Sequence, residues 1–194
     1  MFALVESGKI TKYLKGNKGI TIGDNKYPQA IFTLWSKDER EAIGIYDIET
    51  DSTNYKDKKW YINTNESYTF ANNKVTRSWG TATAKAHEDT LWTEEDKTDG
   101  NIPEGKDVGD VKVEGLKTIL IKTLKSQAAG ELQNTDWYII RKADAGTAVP
   151  SAITTHRAAV RTKAAEMETA ITNAADTPAL ETLYTYTEQE DGSI

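Results

Sequence analysis

The side chains that most often carry catalysis or bind metals are few in this sequence. Only two histidines occur, His87 and His156, and neither belongs to the His-Glu-x-x-His spacing with which a helix binds zinc. There is no cysteine, which excludes disulfides, thiolate ligands and cysteine nucleophiles. No Gly-x-Ser-x-Gly motif places a serine nucleophile at a strand–helix turn. We therefore predict a non-enzymatic protein with no catalytic residue, cofactor or metal.

Two weaker patterns lack the spacing that their ligands require. Four carboxylates in the middle of the chain would suit calcium, namely Glu95, Asp96, Asp99 and Glu104. Lys97 and Lys106 stand where a calcium loop needs oxygen ligands, so a solvated linker is the favoured interpretation. The segment 15–19, Lys-Gly-Asn-Lys-Gly, lacks the Gly-Lys-Ser/Thr ending of a phosphate loop and predicts a turn.

Charge and hydropathy exclude two classes of partner. The 194-residue chain has a net charge of −6, and an acidic protein lacks the surplus of lysine and arginine that binds nucleic acid. No run of about 18 apolar residues exists to span a bilayer. The first ten residues carry no basic leader, so no signal peptide is expected.

The distribution of charge and glycine predicts three regions. Residues 86–115 hold 10 acidic and 3 basic side chains, a net charge of −7, together with several glycines and few large apolar residues. Such a composition buries little surface. We therefore predict a β-rich domain over 1–85, an acidic linker over 86–114 and a helical domain over 115–194, which is an α+β protein overall.

The first region alternates between short apolar runs and turn residues. Gly8 and Gly23 predict two hairpins, Ser36 and Glu39 form a capping box before a short helix, and Asn72-Asn73 predicts another turn. The predicted strands are 2–5, 9–14, 20–22, 26–27, 45–48, 60–64, 67–70 and 74–79. We expect a small antiparallel sheet whose core contains three aromatic residues, Trp60, Phe70 and Trp79.

The third region shows two one-sided helical stripes. The first consists of Leu116, Ile119, Leu120, Thr123, Leu124, Gln127 and Ala128. The second follows Pro150 and consists of Ile153, Val160, Ala164, Met167, Ile171 and Ala174. Two such helices joined by about twenty residues are expected to pack as an antiparallel hairpin or bundle.

Shorter elements complete this region. A short helix capped by Asp136 and closed near Gly146 connects the two long helices, and Trp137 is expected to fill the end of the pair. Thr177-Pro178 starts a last helix, and an acidic tail, 188–191, follows.

A resemblance to known proteins rests on two stretches. The first is Thr135-Asp-Trp-Tyr-Ile-Ile-Arg-Lys-Ala-Asp-Ala-Gly-Thr-Ala-Val-Pro150 with His156-Arg-Ala-Ala-Val-Arg161. It resembles the Asp-Trp, Pro, Arg-x-x-x-Arg pattern near the end of bacteriophage tail-fibre assembly and tail-associated proteins. The second is 1–13 with Gly44-Ile-Tyr46, which resembles the leading module of similar phage proteins. The resemblance covers about half of the chain and brings no catalytic residues.

The resemblance implies a structural protein of the phage tail or tail-fibre attachment region. Such a protein would be assembled in the bacterial cytoplasm, would be present in the virion in several copies or as a homo-oligomer, and would bridge other tail or fibre proteins. One alternative is a tail-fibre assembly chaperone that is absent from the mature virion. Another is a carbohydrate-binding module that uses Trp60 or Trp79.

Six residues are predicted to contact a partner. Ile121 lies off the main stripe of its helix, and a two-helix unit is too small to bury all of its apolar side chains. Arg157 and Arg161 lie one turn apart and could bind acidic groups on the partner. The predicted contact residues are Ile121, Trp137, Tyr138, Ile139, Arg157 and Arg161.

Overall fold

The computed structural model describes residues 1–185 as a mixed α+β protein, about 39% helical and 23% strand. The chain divides into two compact units, Met1–Thr83 and the residues from Ala84 onward. This division falls two residues before the predicted end of the β-rich domain. The predicted acidic tail lies outside the described residues.

The first unit contains nine strands and two short helices within the described chain. In order these are β1 (Phe2–Glu6), β2 (Lys9–Leu14), β3 (Ile20–Ile22), β4 (Asn25–Tyr27), α1 (Ile31–Leu34), α2 (Lys37–Ala42), β5 (Ile45–Thr50), β6 (Tyr61–Ile62), β7 (Ser67–Ala71), β8 (Lys74–Ser78) and β9 (Thr83–Ala84), the last of which reaches the boundary. The predicted strand 60–64 is reduced to two residues, and α1 was not predicted.

The local turn and cap predictions of this unit are confirmed. Ser7 and Gly8 both have positive φ, the geometry of a tight hairpin turn, and join β1 to β2. Asn72 and Asn73 join β7 to β8 in the same way. The Ser36 hydroxyl accepts from the Glu39 amide at the start of α2, and the Glu39 carboxylate accepts from the Ser36 amide at 2.8 Å.

The main sheet is mixed, so the prediction of an antiparallel sheet is wrong. Its strand order is β2-β1-β5-β8-β7, and β5 pairs with β8 in parallel, with Ile48 opposite Val75. Parallel neighbours need a crossover of about a dozen residues or more. The segment between β5 and β8 supplies that length, and the local strand signals carried no information about this pairing.

The core of the first unit lies on both faces of the sheet. Successive residues of a strand point to opposite faces. Leu4 therefore packs with Ile31 and Ile45, while Ala3 and Val5 pack with Val75 on the other face.

The prediction that three aromatics share one core is wrong. Trp60 is buried, Phe70 is partly buried against the Ala3, Val5 and Val75 cluster, and Trp79 is half-buried outside both clusters. Aromatic residues in neighbouring strands share a core only when the strand register places them on one face.

The second unit begins with the acidic segment, which is not an extended linker. Its elements are β10 (Thr90–Leu91), α3 (Glu94–Thr98), β11 (Val111–Val113), α4 (Leu116–Gln133), α5 (Asp136–Ala145), α6 (Ser151–Asn173) and α7 (Thr177–Leu183). β10 pairs with β11, and a second capping box at Thr93 and Asp96 starts α3. Local hydrogen bonds and this strand pair order the segment without a large apolar core.

The segment 86–89 supplies hydrogen-bond acceptors to the N-terminus of α4. The first amides of a helix have no partner within the helix. Here the Leu116 amide donates to the Ala86 carbonyl and the Lys117 amide to the His87 carbonyl, both at 3.0 Å. The Gly115 amide donates to Asp89 Oδ1 at 2.7 Å, and the Thr118 hydroxyl donates to Asp89 Oδ2 at 2.9 Å.

This cap predicts a pH-dependent contribution from Asp89. The Gly115 amide, followed by the Thr118 hydroxyl, lowers the pKa of the Asp89 carboxyl. A lowered pKa stabilises the fold above the unfolded value of about 3.9, and the contribution disappears as the pH falls through the folded value. We expect Asp89→Asn to lower the unfolding temperature near neutral pH, by a difference that narrows as the pH falls from about 7 to below about 4 and the wild-type carboxylate takes up its proton.

Calorimetric unfolding across that pH range tests the effect. Glu104→Gln is the control, because Glu104 is an exposed carboxylate of the same acidic segment. A temperature difference between Asp89→Asn and wild type that stays constant at all pH values would exclude a charge effect.

The long helices pack along the predicted stripe of α6. Ile171 and Ala174 are buried, and Ile153, Val160 and Met167 are half-buried. On α4, Leu116 and Leu120 are buried, but Ile119 is 46% exposed, which contradicts its placement on the buried stripe. The inward arc of α4 is therefore narrower than the sequence pattern indicated.

The end of the described chain is joined to the start of the second unit. Asp176 caps α7 by accepting from the Ala179 amide at 2.8 Å. Leu180 is buried, and the buried Thr177 hydroxyl donates to the Lys85 carbonyl at 2.7 Å. The predicted last helix is thus confirmed. None of the described helices combines the length and apolarity needed to cross a membrane.

Candidate functional site

Within residues 1–185, no group of three or more histidines or carboxylates is arranged to hold a metal ion. Asp96, one of the four carboxylates considered for calcium, accepts from Thr93 at the start of α3 and from Lys112 Nζ at 2.7 Å. These contacts, led by the Lys112 hydrogen bond, lower the pKa of Asp96. The Asp96 carboxylate oxygens therefore accept hydrogen bonds that stabilise the fold of the acidic segment.

The outward side of α5 exposes several large apolar side chains of the second unit. Trp137 is 49% exposed, Ile139 42% and Ile140 67%. Helical geometry of about 100° per residue places these three side chains and Ala143 within one arc of about 160°, which also contains Asp136 and Asp144. A helix on a protein surface normally turns its apolar arc inward. In α5 this arc faces solvent, and we call Trp137, Ile139, Ile140 and Ala143 the α5 apolar face.

Arg141 lies at the edge of the α5 apolar face and contacts the Trp137 ring. The rings of Trp137 and Tyr138 have centroids 4.0 Å apart, and the Arg141 guanidinium lies 4.7 Å from the Trp137 centroid and 5.5 Å from that of Tyr138. A cation over an aromatic face is attracted by the ring quadrupole. Arg141 and Tyr138 are half-buried, and their contacts with the indole ring restrict the orientation of the Trp137 side chain.

The prediction that Trp137 fills the end of the helix pair is wrong, because this residue is 49% exposed. The α5 helix begins at Asp136, with Thr135 rather than Asp136 as the capping residue. The helix ends as predicted, at Gly146 in the left-handed conformation.

Arg157 is buried and makes contacts within its own unit, which contradicts its assignment as a partner-binding residue. It is 6% exposed on α6. Its Nη1 donates to the Leu132 carbonyl at 2.8 Å and to Thr135 Oγ1 at 2.6 Å, and its Nη2 lies 2.8 Å from Asp136 Oδ1. Arg157 thus ties α6 to the end of α4 and the start of α5.

The remaining predicted residues lie on other helices. Ile121 is half-buried on α4, and Arg161 is exposed on α6. His156 is also exposed, and its Nε2 lies 3.3 Å from Glu131 Oε1 near the end of α4. Of the six predicted contact residues, Trp137, Tyr138 and Ile139 lie on α5, and the other three lie on α4 and α6.

The first unit offers two surface clefts. One, of about 650 Å³, is lined by three exposed lysines around the predicted turn, Lys12, Lys15 and Lys18, together with Phe32. The other, of about 450 Å³, contains Tyr55, Arg77 and Trp79. The lysine cleft is formed largely by a single turn with solvated cations, whereas the second draws its lining from several segments.

The sequence interpretation missed two features of these surfaces. Ile140 and Arg141 were not included, although their spacing of three and four residues from Trp137 places them beside it on a helix. Tyr55, Glu66 and Arg77 were not recognised, because they are separated along the chain and meet only through the strand pairing of β7 with β8 and the loop after β5.

No protein-family model matches this chain, and neither a curated protein sequence nor a solved structure matches it. The resemblance to phage tail proteins therefore stays a prediction.

Proposed function

We propose that this chain is a non-enzymatic structural protein of a bacteriophage tail or tail-fibre attachment region, and that it binds a neighbouring subunit through the α5 apolar face. The tail assignment rests on the sequence resemblance. The observation that carries the binding role is the outward orientation of Trp137, Ile139 and Ile140. Contiguous apolar side chains at a surface mark sites of protein contact.

The size of the exposed side chains supports a specific contact. Fully burying a side chain such as Ile140 contributes on the order of 1.5–3 kcal/mol, and tryptophan is enriched among the residues that dominate binding energy. The Arg141 contact reduces the motion of the indole before binding, so less conformational entropy is lost on association.

The scaffold beneath α5 supports a fixed presentation of this face. Glu131 near the end of α4 lies beside His156 near the start of α6, and Lys125 lies 2.8 Å from Glu168 farther along α6. This order of contacts suits the predicted antiparallel hairpin of α4 and α6. In the proposal the hairpin is the rigid support, and α5 is the contact element that it presents.

Proteomic analysis of virions tests the assignment. We expect peptides of this chain in particles purified from the strain that encodes it, at several copies per particle. The double variant Trp137→Ser/Ile140→Ser is expected to lose at least about tenfold in particle-bound amount, because two large apolar anchors are removed. Its soluble level and circular dichroism are expected to stay unchanged.

Leu34→Ser is the matched control, since Leu34 is 80% exposed in the first unit. This variant is expected to enter particles normally. Absence of the wild-type chain from particles would contradict the structural role. Co-purification with fibre protein before assembly, combined with that absence, would instead identify the assembly chaperone.

A further inference from the structure

The second cleft of the first unit has the composition of a ligand site. It lies between the end of β5, the loop that follows it and the segment after β8, and encloses about 450 Å³. Small-molecule sites commonly measure roughly 300–1,000 Å³. The residues that matter here are Ser52, Tyr55, Lys58, Glu66, Arg77 and Trp79.

An aromatic pair forms the apolar part of the cleft. The centroids of Tyr55 and Trp79 lie 4.8 Å apart with their planes at 61°, an edge-on arrangement. Tyr55 is 37% exposed, whereas Trp79 is half-buried and the Arg77 guanidinium lies 4.5 Å from its ring centroid, so Tyr55 offers the more exposed ring to a ligand and Trp79 lines the cleft beside it. The C–H groups of a pyranose ring carry partial positive charge and pack favourably against the electron-rich face of such rings. Trp60 cannot serve in this way because it is buried.

An ion pair forms the polar part. Arg77 Nε donates to Glu66 Oε1 at 2.7 Å, and the Tyr68 hydroxyl donates to the same oxygen at 2.8 Å. The Tyr68 hydrogen bond, followed by that of Arg77, lowers the pKa of Glu66 and keeps it an acceptor. The Arg77 guanidinium therefore places hydrogen-bond donors next to the acceptor oxygens of the Glu66 carboxylate. Two vicinal hydroxyls, each able to donate and accept, match that arrangement.

The loop that carries Tyr55 is fixed by hydrogen bonds. Asp51 Oδ1 accepts from the Thr53 amide at 2.9 Å and from its hydroxyl at 2.6 Å. Asn63 accepts from the Lys56 amide at 2.9 Å and donates to its carbonyl at 2.7 Å. Asn54 Nδ2 donates to the Trp79 carbonyl at 3.1 Å, which joins the loop to the opposite wall. A fixed wall loses little entropy when a ligand binds.

The charge of the cleft selects among polar ligands. The charged residues that line the cleft are two basic ones, Lys58 and Arg77, and one acidic one, Glu66, which gives the lining a net charge of +1. That is too little for a nucleic-acid backbone, which needs several cations. We propose that this cleft binds a saccharide of one or two pyranose units, packed on Tyr55 beside Trp79 and hydrogen-bonded through its hydroxyls to Glu66 and Arg77. The site lies in the first unit and is independent of the α5 apolar face.

Binding is tested with the full chain on an oligosaccharide array, followed by isothermal titration calorimetry. Maltose and cellobiose serve as fixed probes beside any sugar that the array identifies. We expect a dissociation constant between about 0.1 and 10 mM for at least one of them. Absence of binding by every arrayed oligosaccharide and by both disaccharides would overturn the proposal.

Variants locate the site. Tyr55→Ala and Glu66→Gln are each expected to raise the dissociation constant at least about tenfold, since one removes aromatic contact and the other a charged acceptor. Both positions are exposed, and circular dichroism verifies folding. Leu34→Ser changes an exposed apolar residue of the same unit outside the cleft, and this variant is expected to bind as the wild type does. Unchanged affinity in either cleft variant would overturn this assignment, whereas the virion experiment reports only on the α5 apolar face.

Discussion

Replacing Gly115 with alanine is expected to destabilise the second unit by about 3 kcal/mol, since overpacking against backbone cannot be relieved by side-chain motion. A Cβ atom at this position would lie 2.3 Å from the carbonyl carbon and oxygen of Glu88, and 2.7 Å from the His87 carbonyl oxygen. Relief requires the 86–89 segment to move away from the start of α4. That movement would break the three amide contacts that satisfy the helix N-terminus.

The same helix supplies the control. Nothing lies within 4 Å of a Cβ built on Gly130, which is in the interior of α4. Gly130→Ala is therefore expected to stabilise the unit by about 0.5–1 kcal/mol through the higher helix propensity of alanine. Denaturant unfolding followed by circular dichroism measures both changes. Equal effects of the two substitutions would show that Gly115 is not a close-contact position.

Arg157→Ala is expected to cost about 2–4 kcal/mol, because a buried guanidinium with three polar partners is removed. The Leu132 carbonyl belongs to the last turn of α4 and also accepts from the Thr135 amide at 3.0 Å and from the Thr135 hydroxyl at 2.9 Å. Without Arg157 that carbonyl keeps its Thr135 donors but loses the charged one, and the Thr135 hydroxyl oxygen loses the donor that Arg157 supplies. Asp136 is half exposed and can be solvated, so the lost ion pair adds less than the lost hydrogen bonds.

Arg161 is the matched control for this change. It is the same residue type one turn farther along α6, and its side chain is exposed. Arg161→Ala is expected to change the free energy of unfolding by no more than about 0.5 kcal/mol. Thermal unfolding of the two variants side by side distinguishes the buried arginine from the solvated one. Similar losses in both would contradict the internal role of Arg157.

These two expectations concern residues whose roles the sequence pattern misjudged. Gly115 contributed to a glycine-rich composition that predicted a linker, although it permits two backbone segments to meet. Arg157 and Arg161 formed a single Arg-x-x-x-Arg pattern, although α6 turns one inward and the other outward. Composition and spacing do not distinguish a glycine needed for flexibility from one needed for close approach.

Elements whose signals lie within a few residues of one another could be predicted from the amino-acid sequence. The turns at Gly8 and Asn72-Asn73, the Ser36 and Glu39 capping box and the buried stripe of α6 follow from backbone preference and local hydrogen bonding. Predicting an α+β chain required nothing more, because helix and strand periods differ.

The contacts between distant segments are visible only in the three-dimensional structure. The parallel pairing of Ile48 with Val75, the capping of α4 by 86–89 and the cleft beside Trp79 each join residues far apart in the chain. The outward orientation of the α5 apolar face is of the same kind. Such contacts depend on which surfaces remain available once the local elements have formed, and short-range propensity carries no information about that choice.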